Sequence, residues 1–391
     1  MTLLPTSSGL LEPANTDHAV DCLFVISSLG RGGAERATIT LANAISRAGL
    51  NVQIAAISTD GHYSRDIDAD VAVYEVGGSQ RARSVLLPLA RHLRSLRPAH
   101  VISTMNYVNV IVIVSNLLAG GPAKVHVTVQ NHLSSELQCS SYSLRDRKVV
   151  LPAMRLLYRL ATSVVALTDE MANDLSQVIG LPREKIVVLP NLVDLARIDR
   201  EVAKNDKPVH PWLTDKARPT VVSLGRLVPQ KDYATLLAAM ALLPRSERPR
   251  LLIFGEGPER SMLERQISDL DLSEEVILAG ITTDPFSVLS HATLLVLSSQ
   301  WEGFAMVLLE ALAVGCPVVA TDCPTGPAEI LENGRFGSLV PVGHPDAMAN
   351  AIRKALLRPP RAACARRRAE DFAATAGAAR YIEALGLGSK Q

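Results

Sequence analysis

Two glutamates eight positions apart are the strongest candidates for ligand binding in this chain. Glu302 and Glu310 belong to the stretch SSQWEGFAMVLLE, and at about 100° per residue they project from roughly the same side of a helix. Glu310 lies in an almost wholly apolar helical segment, where a buried carboxylate needs hydrogen-bonding partners such as sugar hydroxyls. Glu302 falls at the mouth of the helix, where a carboxylate also serves as a simple partner of the helix dipole. Both side chains could reach a single extended ligand.

Cations and glycines elsewhere in the chain favour binding of an anion. Arg226 and Lys231, in the stretch GRLVPQKD, follow a predicted strand beside a helix start. A guanidinium fork and an ammonium point charge suit a diphosphate, although two solvated surface charges are the alternative interpretation. Near the N-terminus, Gly30, Gly32 and Gly33 stand where a helix begins, and glycine lets the backbone approach a phosphate closely. Their spacing is not the G-x-G-x-x-G fingerprint of dinucleotide binding.

The elements that must position these residues follow a βα repeat. Short apolar runs alternate with helical segments of about ten to fifteen residues, a polar stretch interrupts the pattern, and the alternation restarts at position 220. With 391 residues, 48% of them hydrophobic, the chain can build two cores. We therefore predict an α/β protein of two facing, doubly wound Rossmann-like domains, with the ligand crevice at the carboxyl ends of the strands.

The predicted domain boundaries follow from these interruptions. Residues 1–19 have no basic region and no long apolar run, and we expect a loose leader. Residues 20–193 form the N-terminal domain, 194–219 a linker and 220–370 the C-terminal domain, and 371–391 are expected to form a helix that packs back across the cleft. No stretch reaches the roughly 20 apolar residues of a membrane-spanning helix, and the five scattered cysteines fit a reducing cytoplasm.

With these motifs in this order, the chain resembles the GT4-type retaining glycosyltransferases, which have the two-domain GT-B architecture. The resemblance covers roughly residues 20 to 384 and is strongest in the E-x7-E element from Glu302 to Glu310. The stretch VLPNLVD, which ends at Asp194, is similar to the P-N-x-x-D hinge of the family, and Arg226 with Lys231 matches its G-R-L-x-x-x-K element. The stretch DCPTGPAEIL is similar to an element of members that build bacterial surface polysaccharides or lipid-linked oligosaccharides, many of which use UDP-sugars.

The resemblance implies how a nucleotide-sugar donor would be held by its diphosphate. Arg226 and Lys231 would neutralise the diphosphate, and Gly32 and Gly33 would approach it from the opposite domain. Backbone amides at the start of the following helix would lie near the sugar and the phosphates. These amides would belong to Phe304, Ala305, Met306 and Val307.

The resemblance also implies roles for the two glutamates and a histidine. Glu310 would bind the ribose hydroxyls, and Glu302 would bind the hydroxyls of the transferred sugar. The family places a histidine near the reacting carbon, and His132 in the stretch VTVQNHLS is the candidate. An ordinary loop histidine is the alternative, and the register leaves open whether Gln130 or Asn131 takes that position.

No metal and no other cofactor is expected. In this architecture cations and helix dipoles stabilise the departing diphosphate without a divalent ion. The stretch DIDAD, from Asp66 to Asp70, contains a D-x-D pattern that binds a cation in a different glycosyltransferase fold. It lies far in sequence from every donor element, so we do not expect it to hold a metal.

Basic amphipathic segments in the N-terminal domain indicate an acceptor at a membrane. Arg91 and Arg94 belong to one such segment, residues 81–97, and Arg155 and Arg159 belong to a second, residues 145–160. Such helices can lie on anionic lipid, although both apolar faces could instead pack on the sheet. We expect a cytoplasmic protein, peripheral on the inner face of the plasma membrane, that uses a polyprenyl-diphosphate-linked glycan as acceptor.

The balance of charge argues against nucleic acid as a partner. Forty Lys and Arg residues oppose 39 Asp and Glu residues, so the formal charge is +1 and no overall field attracts a polyanion. The leading prediction is retaining transfer of a hexose or N-acetylhexosamine from a UDP-sugar to a lipid-linked glycan. Two alternatives stay open: an enzyme like UDP-N-acetylglucosamine 2-epimerase, and a non-catalytic subunit that binds sugar nucleotides.

Overall fold

The computed structural model describes residues 19–30, 32–77, 82–139, 146–204, 208–215, 217–358 and 362–388. Within these ranges, two parallel sheets follow one another along the chain, and helices cover both. The predicted pair of doubly wound α/β domains is confirmed. The predicted leader lies outside the described residues except for its last residue, and so do positions 81 and 145, where the two basic segments begin.

The N-terminal domain is built on seven parallel strands in the order β3-β2-β1-β4-β5-β6-β7. Its strands are β1 (Cys22–Ser28), β2 (Val52–Ser58), β3 (Ala72–Glu75), β4 (His100–Thr104), β5 (Lys124–Thr128), β6 (Ser163–Ala166) and β7 (Ile186–Val188). Its helices are α1 (Gly33–Arg47), α2 (Ala82–Leu96), α3 (Asn106–Leu118), α4 (Leu133–Gln138), α5 (Leu151–Leu157) and α6 (Asp169–Ile179). The central strands are buried aliphatic runs, as a parallel sheet covered on both faces requires.

The segment predicted as a linker contains two helices. They are α7 (Leu195–Lys204) and α8 (Pro211–Thr214). Ile198 of α7 is buried, whereas Asp199 and Arg200 are exposed. The polar composition that predicted a linker thus belongs to the solvent side of an amphipathic helix, and the apolar side of that helix is covered by the C-terminal domain.

The C-terminal domain is built on six parallel strands in the order β10-β9-β8-β11-β12-β13. Its strands are β8 (Thr220–Leu224), β9 (Arg250–Phe254), β10 (Val276–Gly280), β11 (Leu294–Leu297), β12 (Val318–Thr321) and β13 (Ser338–Val340). Its helices are α9 (Tyr233–Leu242), α10 (Arg260–Asp269), α11 (Pro285–His291), α12 (Met306–Val314), α13 (Pro327–Ile330), α14 (Pro345–Leu357) and α15 (Ala362–Glu370). The strand order reverses between β8 and β11, which opens a crevice at their carboxyl ends.

A last helix, α16 (Ala374–Leu385), returns the chain to the N-terminal domain. It packs on α1, and a Cβ added to Gly377 would come within 2.2 Å of the Leu192 side chain. The Tyr381 hydroxyl donates to the carbonyls of Leu189 and Pro190, at 3.1 and 3.2 Å. The C-terminal helix therefore contributes to the core of the first domain.

Candidate active site

The loops that follow β8 and β11 lie side by side at the reversal of strand order, and they bring two predicted residues together. Lys231 Nζ lies 2.5 Å from Glu302 Oε1, although the residues are 71 positions apart in sequence. Ser299 Oγ donates to the same carboxylate oxygen at 2.5 Å. Only 7% of the Glu302 side chain and 15% of the Lys231 side chain are exposed. The two residues therefore form a buried ion pair inside the C-terminal domain.

Hydrogen bonds between the two loops fix the position of this ion pair. Ser298 Oγ donates to the carbonyl of Lys231 at 2.7 Å. Gln230 Nε2 donates to the carbonyl of Trp301 at 3.0 Å, and the amide of Gln300 donates to the carbonyl of Gln230 at 2.8 Å. Side chains held in this way keep their geometry without further ordering when a ligand arrives.

The start of α12 gives the predicted backbone amides their position. Ala305 has a φ of 50°, so the chain turns sharply from the Glu302 loop into the helix. Phe304 and Ala305 are buried, whereas Met306 and Val307 are half-buried. The free amides of a helix start attract negative charge, so this end of α12 can receive a phosphate or a polarised hydroxyl.

Glu310, about one turn into α12, forms an ion pair across the domain boundary. Arg36 Nη1 of α1 lies 2.5 Å from Glu310 Oε1, and 7% of the Glu310 side chain is exposed. Arg36 stands in the first turn of α1 and donates its backbone amide to the carbonyl of Gly32. The turn that carries Gly32 and Gly33 therefore faces the helix that carries Glu310.

Sequence reasoning did not assign a role to Arg36. Burial alone would lower the pKa of Arg36, but the charge of Glu310 and the phenol of Tyr63 raise it above its ordinary value, so the guanidinium stays charged. A signal was present in the sequence, since a cation in the first turn of a helix opposes the helix dipole and needs another reason to be there.

Of the two cations predicted to bind the diphosphate, Arg226 is the exposed one. It lies in the loop after β8, where its side chain is exposed, whereas Lys231 of the same loop is half-buried. A guanidinium that projects into solvent at the crevice is available to an incoming anion. Gly33, at the start of α1, is exposed as well.

The loop after β5 touches the Glu302 loop through its backbone. A Cβ added to Gly303 would lie 1.7 Å from the carbonyl oxygen of Gln130, so only glycine allows this approach. Asn191 of the hinge motif donates to Gln130 Oε1 at 3.1 Å. Of the three candidates in the QNH stretch, Gln130 and Asn131 therefore lie against the donor loop.

His132 is held by its own domain. Its Nδ1 lies 2.8 Å from Ser135 Oγ, and its Nε2 lies 3.5 Å from Asp174 Oδ1. Asp174 is buried and also accepts hydrogen bonds from the amides of Leu133 and Ser134. The aspartate thus anchors the start of α4 and the imidazole together, a contact that the sequence did not predict.

A cavity of about 610 Å³ lies between the start of α6 and the loop after β12. Acidic side chains line it, among them Asp169, Glu170 and Glu329. Burial raises the pKa of Glu329, and the charge of Asp169 adds to that effect. Thr325 connects the cavity to the donor loop, because its amide donates to Glu170 and its hydroxyl to the carbonyl of Gly303. The carboxylates that line this cavity would repel a diphosphate. The loop after β8, with Lys231 and Arg226, suits a diphosphate better.

Three of the arginines predicted to meet the acceptor or the membrane bond to ends of helices. Arg94 donates to a carbonyl at the end of α3 at 2.9 Å. Arg155 and Arg159 donate to carbonyls at the end of α6, each at 3.1 Å. Arg91 is exposed on α2. These contacts give the first three cations a structural role through the orphan carbonyls and the dipole of each helix.

The two basic segments differ in what their apolar sides contact. In α2, Leu89 and Leu93 are fully buried, which matches the alternative in which the apolar face packs inside the domain. Around α5, Leu156 is 71% exposed and Leu160 is 58% exposed, next to Arg155 and Arg159. An exposed apolar surface with a basic rim therefore exists at the second segment. No helix in the described part of the chain is long and apolar enough to cross a bilayer.

Two of the three aspartates of the DIDAD stretch have cationic partners. Asp66 pairs with Arg197 at 2.7 Å, and Asp68 pairs with Arg47 at 2.6 Å. Among the described residues, no three His, Cys, Asp or Glu side chains stand together as metal ligands would.

Comparisons with known proteins identify the family to which this two-domain chain belongs. A family model described as "Glycosyltransferase Family 4" matches residues 31–197, and one described as "Glycosyl transferases group 1" matches residues 206–372. The lipopolysaccharide core biosynthesis glycosyltransferase LpsE of Rhizobium meliloti is 30% identical over 329 residues, which cover 82% of this chain and 84% of LpsE. The chain therefore belongs to the GT4-type glycosyltransferases, a class of transferase enzymes.

Other relatives match over a smaller share of their length. A Campylobacter jejuni enzyme named N-acetylgalactosamine-N,N'-diacetylbacillosaminyl-diphospho-undecaprenol 4-alpha-N-acetylgalactosaminyltransferase is 31% identical over 201 residues, 51% of this chain and 52% of that enzyme. Two further curated relatives are matched over 59% and 22% of their own length. The chain thus spans less than two thirds of the length of each of these three relatives.

The fold is that of solved GT-B enzymes. The crystal structure of Anabaena HepE in complex with UDP-glucose superposes with a TM-score of 0.77 at 21% identity, covering 93% of this chain and 99% of HepE. The predicted GT-B architecture is therefore confirmed.

Proposed function

We propose that this protein transfers a hexose or N-acetylhexosamine, with retention of configuration, from a nucleotide sugar to a polyprenyl-diphosphate-linked or other surface-glycan acceptor. The observation that carries the proposal is the buried Lys231–Glu302 ion pair at the reversal of strand order, with Glu310 on α12, the helix that follows the Glu302 loop. One end of this arrangement suits a diphosphate and the other suits hydroxyl groups.

UDP is the nucleotide that we propose for the donor. Two observations support it: HepE, which shares the fold, was crystallised with UDP-glucose, and the DCPTGPAEIL stretch resembles that of UDP-sugar enzymes. The uracil would lie at the crevice between the two sheets, with its ribose on Glu310 and its diphosphate between Arg226, Lys231 and the glycines that precede α1.

The residues of the chain can stabilise the leaving group without a metal ion. As the glycosidic bond of the donor breaks, negative charge grows on the diphosphate, and Lys231, Arg226 and the amides of Met306 and Val307 are the groups that would face it. Glu302 would accept hydrogen bonds from hydroxyls of the transferred sugar. Lys231 is already bonded to Glu302. When the donor binds, the ammonium group would therefore share its hydrogen bonds between the Glu302 carboxylate and the diphosphate.

We further propose that the acceptor is a lipid-linked glycan and that the protein binds the inner surface of the plasma membrane. The Campylobacter relative carries a diphospho-undecaprenol in its name, and LpsE acts in lipopolysaccharide core biosynthesis by its name. The exposed Leu156 and Leu160 beside Arg155 and Arg159 are chemically suited to the anionic inner surface of a plasma membrane. A lipid-linked glycan would then reach the crevice from that surface.

Calorimetric titration with UDP and with GDP, both in EDTA, tests the donor site. We expect UDP to bind more tightly, Glu310→Ala to weaken nucleotide binding, and Arg226→Ala to reduce turnover. Preferential GDP binding would replace the proposed UDP-sugar donor with a GDP-sugar. Binding of neither nucleotide would contradict the proposal. Incubation with UDP-N-acetylglucosamine alone separates transfer from epimerisation, since an epimerase converts this compound without an acceptor.

A further inference from the structure

The Arg36 side chain is largely buried and lies between two aromatic rings. Its guanidinium carbon lies 5.2 Å from the centre of the Tyr63 ring and 5.4 Å from the centre of the Phe286 ring. Tyr63 belongs to the N-terminal domain and Phe286 to α11 of the C-terminal domain, so aromatic rings from both domains hold the cation. Only 17% of the Arg36 side chain is exposed. A long cationic side chain buried in this way has little freedom to follow the carboxylate that it contacts.

The hydrogen bond from Arg36 occupies one oxygen of Glu310. It is made to Oε1, and no described residue donates to Oε2. A hydrogen bond between a guanidinium and a carboxylate is roughly twice as strong as one between neutral groups, so this contact fixes the orientation of the Glu310 carboxylate.

We propose that Arg36 is a positioning residue for ribose recognition: it fixes the orientation of Glu310, so that Oε2 can accept hydrogen bonds from the ribose hydroxyls of the donor. The inference rests on the proposed function of Glu310. Because Arg36 belongs to α1 and Glu310 to α12, recognition of the ribose by one domain depends on a side chain of the other. The nucleotide then gains its full affinity only when the domains lie as close as they do here.

Nucleotides with and without ribose hydroxyls test this role. The full chain is titrated with UDP and with 2′,3′-dideoxy-UDP, and the ratio of the two dissociation constants is compared between variants. In the wild type we expect UDP to bind about tenfold more tightly or better, since hydrogen bonds to a charged group are lost in the analogue. In Arg36→Met the ratio should fall close to one, with the affinity for dideoxy-UDP changed by about twofold or less.

Arg197→Met is the matched control. Arg197 lies 5.9 Å from the same Phe286 ring and pairs with Asp66, but it does not contact Glu310. We expect this variant to keep the wild-type ratio. Arg36→Lys retains a cation without the guanidinium fork, so its ratio should lie between those of the wild type and Arg36→Met. If Arg36→Met does not fold, Arg36→Lys carries the test, with a lowered ratio as the expected result.

The outcomes separate the two proposals. A wild-type ratio in the folded Arg36 variants, or an equal loss of affinity for both nucleotides, would overturn the role of Arg36 and leave the donor site standing. A wild type that binds neither UDP nor GDP would overturn the proposed function itself. An equally lowered ratio in Arg197→Met would show that the domain boundary, and not Arg36, controls ribose recognition.

Discussion

The two domains organise their polar groups at the crevice in different ways. In the C-terminal domain Lys231 pairs with Glu302 of the same domain, and Ser299 donates to the same carboxylate. In the N-terminal domain His132 is bound by Asp174 and Ser135 of its own domain, and the crevice is reached by a backbone carbonyl, that of Gln130. The difference indicates that the C-terminal domain carries the Lys231–Glu302 charges of the proposed diphosphate site, while the N-terminal domain contributes to the shape of the crevice and supplies an outer surface.

Exchanging one polar side chain in each domain, Lys231 and His132, is the strongest test of this difference. Lys231→Met should lower kcat/KM for sugar transfer by about a hundredfold or more, because it removes a cation from the diphosphate and leaves Glu302 buried without its partner. His132→Gln, which retains hydrogen-bonding capacity, should lower it by less than about tenfold. Steady-state kinetics with one donor measures both. A larger loss in His132→Gln would assign the chemistry to the N-terminal domain.

Opening the contact between the Gly303 loop and the Gln130 loop is expected to have the next largest effect. The Cβ of Gly303→Ala would lie 1.7 Å from the Gln130 carbonyl, so the two loops must separate. Since small displacements of reacting groups are costly, we expect kcat/KM to fall by about ten- to a hundredfold while the chain stays folded. Gly388→Ala is the control, because the position is exposed and the added Cβ would only reach the Ile382 side chain at 4.0 Å; it should change neither activity nor the thermal midpoint. Unchanged activity in Gly303→Ala would mean that the crevice tolerates a wider gap.

A buried histidine pair should make the N-terminal domain the acid-sensitive part of the molecule. His126 Nε2 lies 3.0 Å from His100 Nδ1, and its own Nδ1 lies 2.8 Å from Ser163 Oγ. Burial, with the charges of His100 and Lys124, lowers the pKa of His126 from 6.5 to about 3. His126 therefore stays neutral in the folded chain while the unfolded chain binds a proton. The stabilisation is complete above about pH 6.5 and is lost as the pH falls towards 3.

The free energy of unfolding should therefore drop by roughly 2 kcal/mol between pH 7.5 and pH 5 on account of this group. Urea unfolding at the two pH values measures it. His126→Gln should reduce the drop, and His62→Gln, at an exposed turn, should leave it unchanged. Equal drops in all three proteins would place the acid sensitivity outside the histidine pair.

The smallest expected effect concerns the outer surface. Leu156→Ser with Leu160→Ser should weaken binding to vesicles of anionic phospholipid by about tenfold, because two exposed leucines no longer enter the interface. The control is Leu357→Ser in the C-terminal domain, since Leu357 is 72% exposed and Leu156 is 71% exposed. Vesicle sedimentation measures the partition. Equal binding of the control and the double variant would remove the membrane from the proposed function.

Local patterns in the sequence predicted the repeating part of the fold well. Buried strands such as β1 and β11 are apolar runs with turn residues after them, and the Glu302 and Lys231 motifs stand at fixed offsets from strand ends. The helix α7 was missed because its sequence is polar except for one buried stripe around Ile198, which only its contact with the C-terminal domain explains.

The contacts across domains were beyond sequence reasoning. Arg36 and Glu310 are 274 positions apart, and Thr325 and Glu170 are 155 positions apart. No periodicity links residues at such distances, since the packing of whole domains brings them together. Asp174 was missed for the same reason, because a single aspartate in a helix gives no sign that it anchors a loop 40 positions earlier.

The return of α16 to the N-terminal domain has a consequence for biosynthesis. Tyr381 and Gly377 complete the packing around Leu189 and Leu192, so the first domain is finished by nearly the last residues of the described chain. A nascent polypeptide that has emerged only as far as β13 lacks this support, however well its second sheet has folded. Prematurely terminated translation products would thus expose the apolar surface of α1 that α16 covers. Proteases and chaperones act on such surfaces, so the cell would retain mainly chains that have been synthesised to the end of α16.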